Sequence, residues 1–354
     1  MKIAIVLMLA CVVEVKPLRV YIYDSIPNSK HFGWDLNKFI YGLFENSHVR
    51  TWNRDEADYF YIPHSMPFQN NSHVLETFRW IQMNEISFNR SFETQKANHI
   101  MVMPCDHGPS DCAWERPLCY NHKDQLDLAT NPSSPFRIVI LLSPFGGLKT
   151  THSKCCGIFC IERWKDIVIP PLIRGSWGLD EKPRILTKKR YRLYFAGKVG
   201  DNAISVRKLV LTTFQNASTE DLIVDSDIQT VDNAEMMSQS TFCFDPNGWD
   251  AGWNFRSLPS ILLGCIPIVV KSVEHPFAYT YEEHPSISWP NFSIVISSKN
   301  ELMDLERRIS KLETNHLVKN GQKIIKRFLW DGDAFETLLE ILQNRIIHSN
   351  RTTA

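Results

Sequence analysis

Short apolar runs alternate with amphipathic stretches along this chain, and the alternation happens twice. "RVYIYDS" (19–25) is a β-branched and aromatic run closing on turn chemistry, which predicts a strand. Over 33–44, with Phe32 just ahead, the apolar positions Phe32, Leu36, Phe39, Ile40 and Leu43 fall on one helical face, the pattern of an amphipathic helix. "RDEADYFYIP" (54–63) reads as a short helix feeding a strand that Pro63 stops. A helix over 73–88 follows, then "NHIMVMP" (98–104), "FRIVILLS" (136–143) and "DIVIP" (166–170), each a short buried strand. "PPLIRGSWGLDEKP" (170–183) breaks the rhythm with three prolines and two glycines, the composition of a linker.

The second series begins with the strand "YRLYFAG" (191–197) and a helix over 202–214. It continues with strand "DLIVDS" (221–226), a helix over 232–240, and strands "TFCFDP" (241–246) and "IPIVV" (266–270). Ser298 followed three residues later by Glu301 predicts a capping box for a helix over 299–313, and two further helices end the chain. Strand–helix alternation of this kind makes a mostly parallel sheet with helices on its faces. The expected fold class is therefore α/β with two doubly wound, Rossmann-like domains. They span 17–170 and 191–330, with a linker over 171–190 and a C-terminal helix and tail over 331–354. Ligands of open α/β sheets sit beyond the carboxyl ends of the strands, so two such domains facing each other place the site in a central cleft.

Composition narrows the class of function. Hydrophobic residues make up 44% and charged residues 22%, the balance of a globular chain. The 39 basic and 39 acidic residues cancel, so no overall charge favours nucleic acid or an anionic membrane. Met1-Lys2 precedes an apolar run from Ile3 to Val13. As a helix that run would span ~16 Å, against the ~30 Å of a hydrocarbon core. Residues 1–15 thus read as a secretory signal or short signal-anchor, with a first buried strand as the other reading. Of the nine cysteines, Cys11 lies in this leader. Cys105, Cys112, Cys119, Cys155, Cys156 and Cys160 crowd together, while Cys243 and Cys265 stand apart. Such density predicts one to three disulfides among the six in an oxidising lumen; the paired C-x-x-C of a zinc site is missing. Sequons at Asn70, Asn89, Asn216, Asn291 and Asn350 point the same way, to the secretory pathway.

The stretch "RSLPSILLGCIPIVV" (256–270) holds an unusual punctuation: an apolar run interrupted by Pro259, Gly264 and Pro267. It reads as a short helix capped by the Ser257 hydroxyl, with Pro259 in the first turn where its missing N–H costs little. Gly264 closes that helix and a buried strand follows. The Gly-rich "NGWDAGWNFR" (247–256) precedes it. A flexible loop, an arginine and a helix start in succession make an anion site, so Gly248, Asp250, Asn254, Arg256 and Ser257 are donor-side candidates.

"MSQSTFCFDPNGWDAGWNFRSLPSILLGCIPIVV" (237–270) resembles the signature of the exostosin-like glycosyltransferases. The likeness continues in "RVYIYDSIP" (19–27), "RDEADYFYIPH" (54–64), "NHIMVMPCDHGP" (98–109), "KDIVIPP" (165–171), "RLYFAGK" (192–198) and "SWPNFSIVI" (288–296), covering roughly residues 19–300. The resemblance implies an inverting glycosyltransferase of GT-B architecture. Its glycan acceptor would sit on the N-terminal domain and its nucleotide-sugar donor, a UDP-sugar, on the C-terminal one. It implies no cofactor and no metal, and a family habit of working in pairs suggests a homo- or hetero-dimer. Without a divalent ion, protein cations must neutralise the leaving diphosphate. Arg256 with its loop is the first candidate, and Lys198 and Arg207, flanking the turn after "YFAG", are the second.

Inversion needs a base on the acceptor side, at a strand's carboxyl end. Asp106 and His107 in "PCDHGP" fit, Asp24 at the end of the first strand is the alternative, and His64 has a weaker case. At the position of Pro259 the family carries Asp or Glu, which by analogy would hold the ribose. Proline offers no acceptor there, so Asp245, Asp250 or Glu274 substitutes, or the donor binds differently, or activity is lost. A catalytically inactive relative that binds glycan or supports a partner transferase is accordingly the second reading. "DSD" (225–227) has the form of a metal-binding D-x-D, but its place inside the second domain reads as loop and capping carboxylates. No G-x-G-x-x-G follows a strand, which argues against a dinucleotide enzyme.

Overall fold

In the computed structural model the apolar runs pair as two parallel sheets. Described are residues 16–26, 35–64, 72–103, 134–144, 146–148, 161–172, 186, 188–197, 205–214, 222–225, 233–246, 256–270 and 277–352. The first sheet takes β1 (Val20–Ile22), β2 (Arg50–Thr51), β3 (Tyr59–Tyr61), β4 (His99–Val102), β5 (Val139–Ser143) and β6 (Ile167–Val168). They lie in the order β2-β1-β3-β4-β5-β6. The second takes β7 (Tyr191–Ala196), β8 (Leu222–Asp225), β9 (Ser240–Pro246), β10 (Ile266–Val270) and β11 (Ile294–Ile296), in the order β11-β10-β9-β7-β8. Every named pair is parallel. All residues of β3, β4, β5 and β10 are buried, as strands covered on both faces require.

The two strand orders share one feature. In each sheet the first strand lies between the second and the third, so winding reverses between β1 and β3 and again between β7 and β9. Such reversals open a crevice at the strands' carboxyl ends. Two Rossmann-like halves, each with its switch point, make this the GT-B arrangement.

The helices are α1 (Asp35–Glu45), α2 (Ser72–Asn84), α3 (Ile86–Glu93), α4 (Ser205–Phe214), α5 (Asn233–Gln239), α6 (Ser257–Leu262), α7 (Lys299–Met303), α8 (Leu305–Ser310), α9 (Asn315–Ile324) and α10 (Ala334–Thr352). Two of them differ from the periodic pattern. The single helix expected over 73–88 is broken at Glu85, whose backbone is extended (φ −120, ψ 102). Its carboxylate is 2% exposed and paired with Arg54 at 2.9 Å, so a tertiary ion pair outweighs local helix propensity. The helix expected over 299–313 is likewise split at Asp304, whose carboxylate grips the Arg307 guanidinium through two 2.6 Å bonds. The capping box forms with a shift: Ser298 Oγ accepts the Glu301 N–H, and the Glu301 carboxylate accepts from Ser297. The two-residue β2 gave no sequence signal.

The last helix returns to the first sheet. Ala334, Leu338, Leu339, Ile341 and Leu342 of α10 share one apolar core with Val20, Ile40, Phe44 and Tyr61. Leu258 and Ile261 of α6 belong to the same core. The Tyr59 hydroxyl donates to the Leu342 carbonyl at 3.1 Å, and Trp330 Nε1 donates to the Pro170 carbonyl at 3.1 Å. The segment after β10 also reaches back, with the Tyr281 N–H on the Val168 carbonyl at 2.9 Å. The helix that carries Arg256 is therefore braced from behind by residues that also pack the N-terminal sheet.

Cys243 in β9 and Cys265 ahead of β10 form a disulfide with a sequence separation of 22. The six clustered cysteines, expected to pair, lie outside the described residues, as does the 1–15 leader. The Cys243–Cys265 bridge closes the segment that contains Arg256. Loop-closure entropy for that length corresponds to about 3 kcal/mol. The double variant Cys243→Ser/Cys265→Ser is expected to lose that much unfolding free energy in urea titration, and an unchanged midpoint would show the bridge to be energetically idle.

Candidate active site

The site begins with why α6 starts and stops where it does. Pro259 is the third helical residue, where an N–H would have no intrahelical acceptor, so its ring costs nothing. The end is a Schellman motif. Gly264 takes φ 69, its N–H bonds the Ile261 carbonyl, and the Cys265 N–H bonds the Ser260 carbonyl at 2.8 Å. The turn then delivers "IPIVV" into the sheet. The expected Ser257 cap does not form: Arg256 holds the cap position without a side-chain cap bond, and Ser257 Oγ donates to Asp245 Oδ2 instead. Asp245, near the end of β9, thereby ties that strand to the start of α6.

Arg256 is 8% exposed, and its guanidinium carbon lies 5.3 Å from the centroid of the Phe195 ring on β7. Gly197, just past β7, gives it room. A Cβ there would stand 3.1 Å from Arg256 Nη2 and 3.0 Å from Phe195 Cζ. β7 and β9 flank the second switch point, so the arginine lies at the crevice that topology alone marks out. Arg207, in the first turn of α4, completes the group electrostatically: it disfavours the charge of Arg256, and both guanidinia favour the ionised form of Asp245. Burial brings the Arg256 pKa down to about 10, which leaves it a cation at neutral pH. Helix α6 has six residues, so its dipole is minor and the side-chain cations supply most of the positive field.

Burial raises the Asp245 carboxyl to about 7, against the lowering effect of Ser257 and of the two arginines. A carboxyl raised in the folded state contributes stability that is complete below the ordinary value of 3.8 and is lost as pH climbs through about 7. Protonated Asp245 also leaves two guanidinium charges for an anion rather than one. Asp245→Asn is expected to flatten the fall in stability between about pH 4 and pH 7, read by urea unfolding at stepped pH; an unaltered slope would assign the titration to another group.

The residues expected on the acceptor side lie at the first switch point. Asp24 follows β1, and its Oδ2 accepts from Arg50 Nη2 at 2.9 Å, while Oδ1 is buried without a hydrogen-bond partner among the described residues. His64 follows β3 and is buried, with Nε2 at 3.5 Å from Asn37 Nδ2. Burial lowers its pKa to about 4, so it stays neutral at physiological pH. Asp106 and His107 lie outside the described residues, as do Lys198, Gly248, Asp250, Asn254 and Glu274. Arg256, Arg207 and Ser257 come together, with Asp24 and His64 on the other sheet. Gly197 and Phe195 were not singled out from sequence, and Asp245 was noted only as a stand-in for the acid missing at Pro259. The signal for Gly197 was the glycine in "YFAG", at a strand's carboxyl end. Among the described residues, no group of three or more His, Cys, Asp or Glu side chains could hold a metal ion, and no helix is long and apolar enough to cross a membrane.

Comparison with known proteins adds sequence likeness to this geometry. The Exostosin GT47 domain matches residues 14–311. The chain is 23% identical over 346 residues to a protein of Arabidopsis thaliana named probable beta-1,4-xylosyltransferase IRX10, covering 88% of this chain and 75% of that one. It is 22% identical over 370 residues to probable glucuronosyltransferase 47 A of Physcomitrium patens, covering 94% and 76%. Among solved structures, Anabaena Alr3699/HepE in complex with UDP and glucose aligns with a TM-score of 0.38 at 8% identity, over 95% of this chain and 100% of that one. The family match runs from ahead of β1 through α8, across both sheets and the Arg256 site, and the chain belongs to the exostosin GT47 family.

Proposed function

We propose that the protein is an inverting glycosyltransferase that moves a sugar from a UDP-sugar to a glycan acceptor. The observation that carries this is the placement of Arg256 against Gly197 and Phe195 at the switch point between β7 and β9. In the reaction a base on the first domain removes the acceptor hydroxyl's proton. That oxygen forms a bond to the anomeric carbon while the bond from that carbon to the diphosphate oxygen breaks. The electron pair leaves on the diphosphate, and Arg256, Arg207 and Lys198 stabilise the growing charge. Asp106 or His107 takes the base role, with Asp24 as the alternative. Relatives named for xylosyl and glucuronosyl transfer make UDP-xylose and UDP-glucuronic acid the first donors to try. Pro259 supports the inactive reading, but Arg256 and the named activities of these relatives weigh against it.

The apolar leader and the Cys243–Cys265 disulfide support an oxidising compartment, the Golgi lumen or membrane, or secretion. A homo- or hetero-dimer belongs to the same reading.

The test is release of UDP from the two donors in the presence of β-1,4-xylo-oligosaccharide. Turnover is expected, and it is expected to survive EDTA because the diphosphate is met by protein cations. Complete loss with chelator, restored by manganese, would instead promote Asp225 and Asp227 to metal ligands. Failure to bind UDP at all would favour the inactive relative.

A further inference from the structure

The amino ends of the first sheet's strands point away from the cleft, and a second concavity lies at that end. A cavity of about 880 Å³ sits between this edge and α10. Its wall comes from residues placed just ahead of strands: Lys16 before β1, Asp58 before β3, Lys96 and Asn98 before β4, and Trp164 before β6. Arg345 of α10 closes the far side.

Trp164 is the unusual member. It is 73% exposed, and its backbone is in the left-handed region at φ 69. A bulky side chain is rarely found there, and such outliers gather at binding sites where the surrounding structure enforces them. The turn that presents it is firmly clamped. The Asp166 carboxylate accepts the Glu162 N–H and the Leu141 N–H, each at 2.9 Å. The Lys165 ammonium donates to the Val139 carbonyl at 3.0 Å and to Asp166 at 2.7 Å. The indole is thus held out into solvent by a frame anchored on β5.

The polar groups around it are mostly matched with each other, Lys16 with Asp58 at 3.0 Å and Arg345 with Glu283 at 2.6 Å. Two are left over. Lys96 makes no side-chain hydrogen bond or ion pair among the described residues. Asn98 is 6% exposed, and its side-chain oxygen has no hydrogen-bond partner among the described residues. An open aromatic face beside an amide, an ammonium and neutralised ion pairs complements a polyhydroxylated ring. The C–H face of a sugar lies on the indole while its hydroxyls meet donors and acceptors alike. A purely apolar ligand would leave those groups unmet, and a phosphate would find the Lys16 and Arg345 charges already taken and a single ammonium, Lys96, to meet it.

We propose that this cavity is a second saccharide-binding site, which takes a pyranose unit of a glycan on Trp164, with Lys96 contacting its hydroxyls and Asn98 in its lining. It lies at the opposite end of the strands from the cleft, so a glycan held there leaves the cleft open. Its chemistry is independent of the cleft's, and it would persist if the cleft were inactive.

Isothermal titration of the full chain with β-1,4-xylohexaose and with a glucuronic-acid-bearing xylo-oligosaccharide tests the proposal. Trp164→Ala is expected to weaken oligosaccharide binding at least tenfold and Lys96→Ala several-fold. UDP affinity, which reports the cleft, should stay unchanged in both. Trp164→Phe keeps a flat face, retains most of the binding, and serves if the alanine variant folds poorly. No binding of either probe by the native chain, or equal affinity in native, Trp164→Ala and Lys96→Ala proteins, overturns the proposal. So does a Trp164→Ala protein whose sedimentation changes while oligosaccharide affinity does not, since the surface would then be a protein contact.

Discussion

Arg256→Ala is expected to cut UDP-sugar turnover by about 10²–10³-fold, the loss typical of removing one preorganised charge donor from a developing anion. UDP affinity should fall with it. The fold should not. Removing one partner of a buried charge pair usually costs about 3–5 kcal/mol, because the other is left ionised and unmatched. Here the remaining partner is Asp245, already raised to about 7 by burial, and it can take up a proton once the guanidinium is gone. At pH 6 the melting temperature should therefore stay within a few degrees of native. Arg256→Lys restores charge without the planar fork and should recover only part of the rate. Native UDP affinity in the alanine variant would remove Arg256 from the donor site.

Truncation after Asp333 is expected to abolish folding. It deletes α10, and with it Leu338, Leu339, Ile341 and Leu342, all buried in the core that also holds Val20 and Tyr61. Four such side chains contribute about 6–12 kcal/mol at ~1.5–3 kcal/mol each, as much as a domain's whole margin of about 5–15 kcal/mol. The single change Leu338→Ala leaves a cavity and should cost about 2–5 kcal/mol, measured by urea unfolding. A truncated chain with a native cooperative transition would show that α10 only decorates the first sheet.

What could be read from the sequence was local. The two strand–helix series, the proline at the start of α6 and the glycine at its end are set by neighbouring residues, and they appear where periodicity and turn chemistry put them, apart from β2 and the breaks at Glu85 and Asp304. What could not be read depends on distant partners. Ser257 looked like a cap because no sequence window shows Asp245 reaching it from another strand. Glu85 breaks a helix because Arg54, far back in the chain, offers a better partner than the next helical turn. Cys243 and Cys265 looked less promising than the dense cysteine cluster until β9 and β10 lay side by side. Helices at the end of the chain were expected, but the surface that α10 covers was not. Arg256 was legible from its loop–helix setting, whereas Gly197, which lets it lie down, acts through what it lacks.

That absence leaves a trace in descent. A side chain at 197 would crowd both the Arg256 guanidinium, 3.1 Å from where a Cβ would stand, and the Phe195 ring, 3.0 Å from it. On the donor role proposed for Arg256, a lineage that stopped handling nucleotide would be free to lose the arginine, leaving only the Phe195 ring to oppose a side chain at 197. In any diverging copy of this gene, those two sites would form a paired record of whether that proposed role is still under selection.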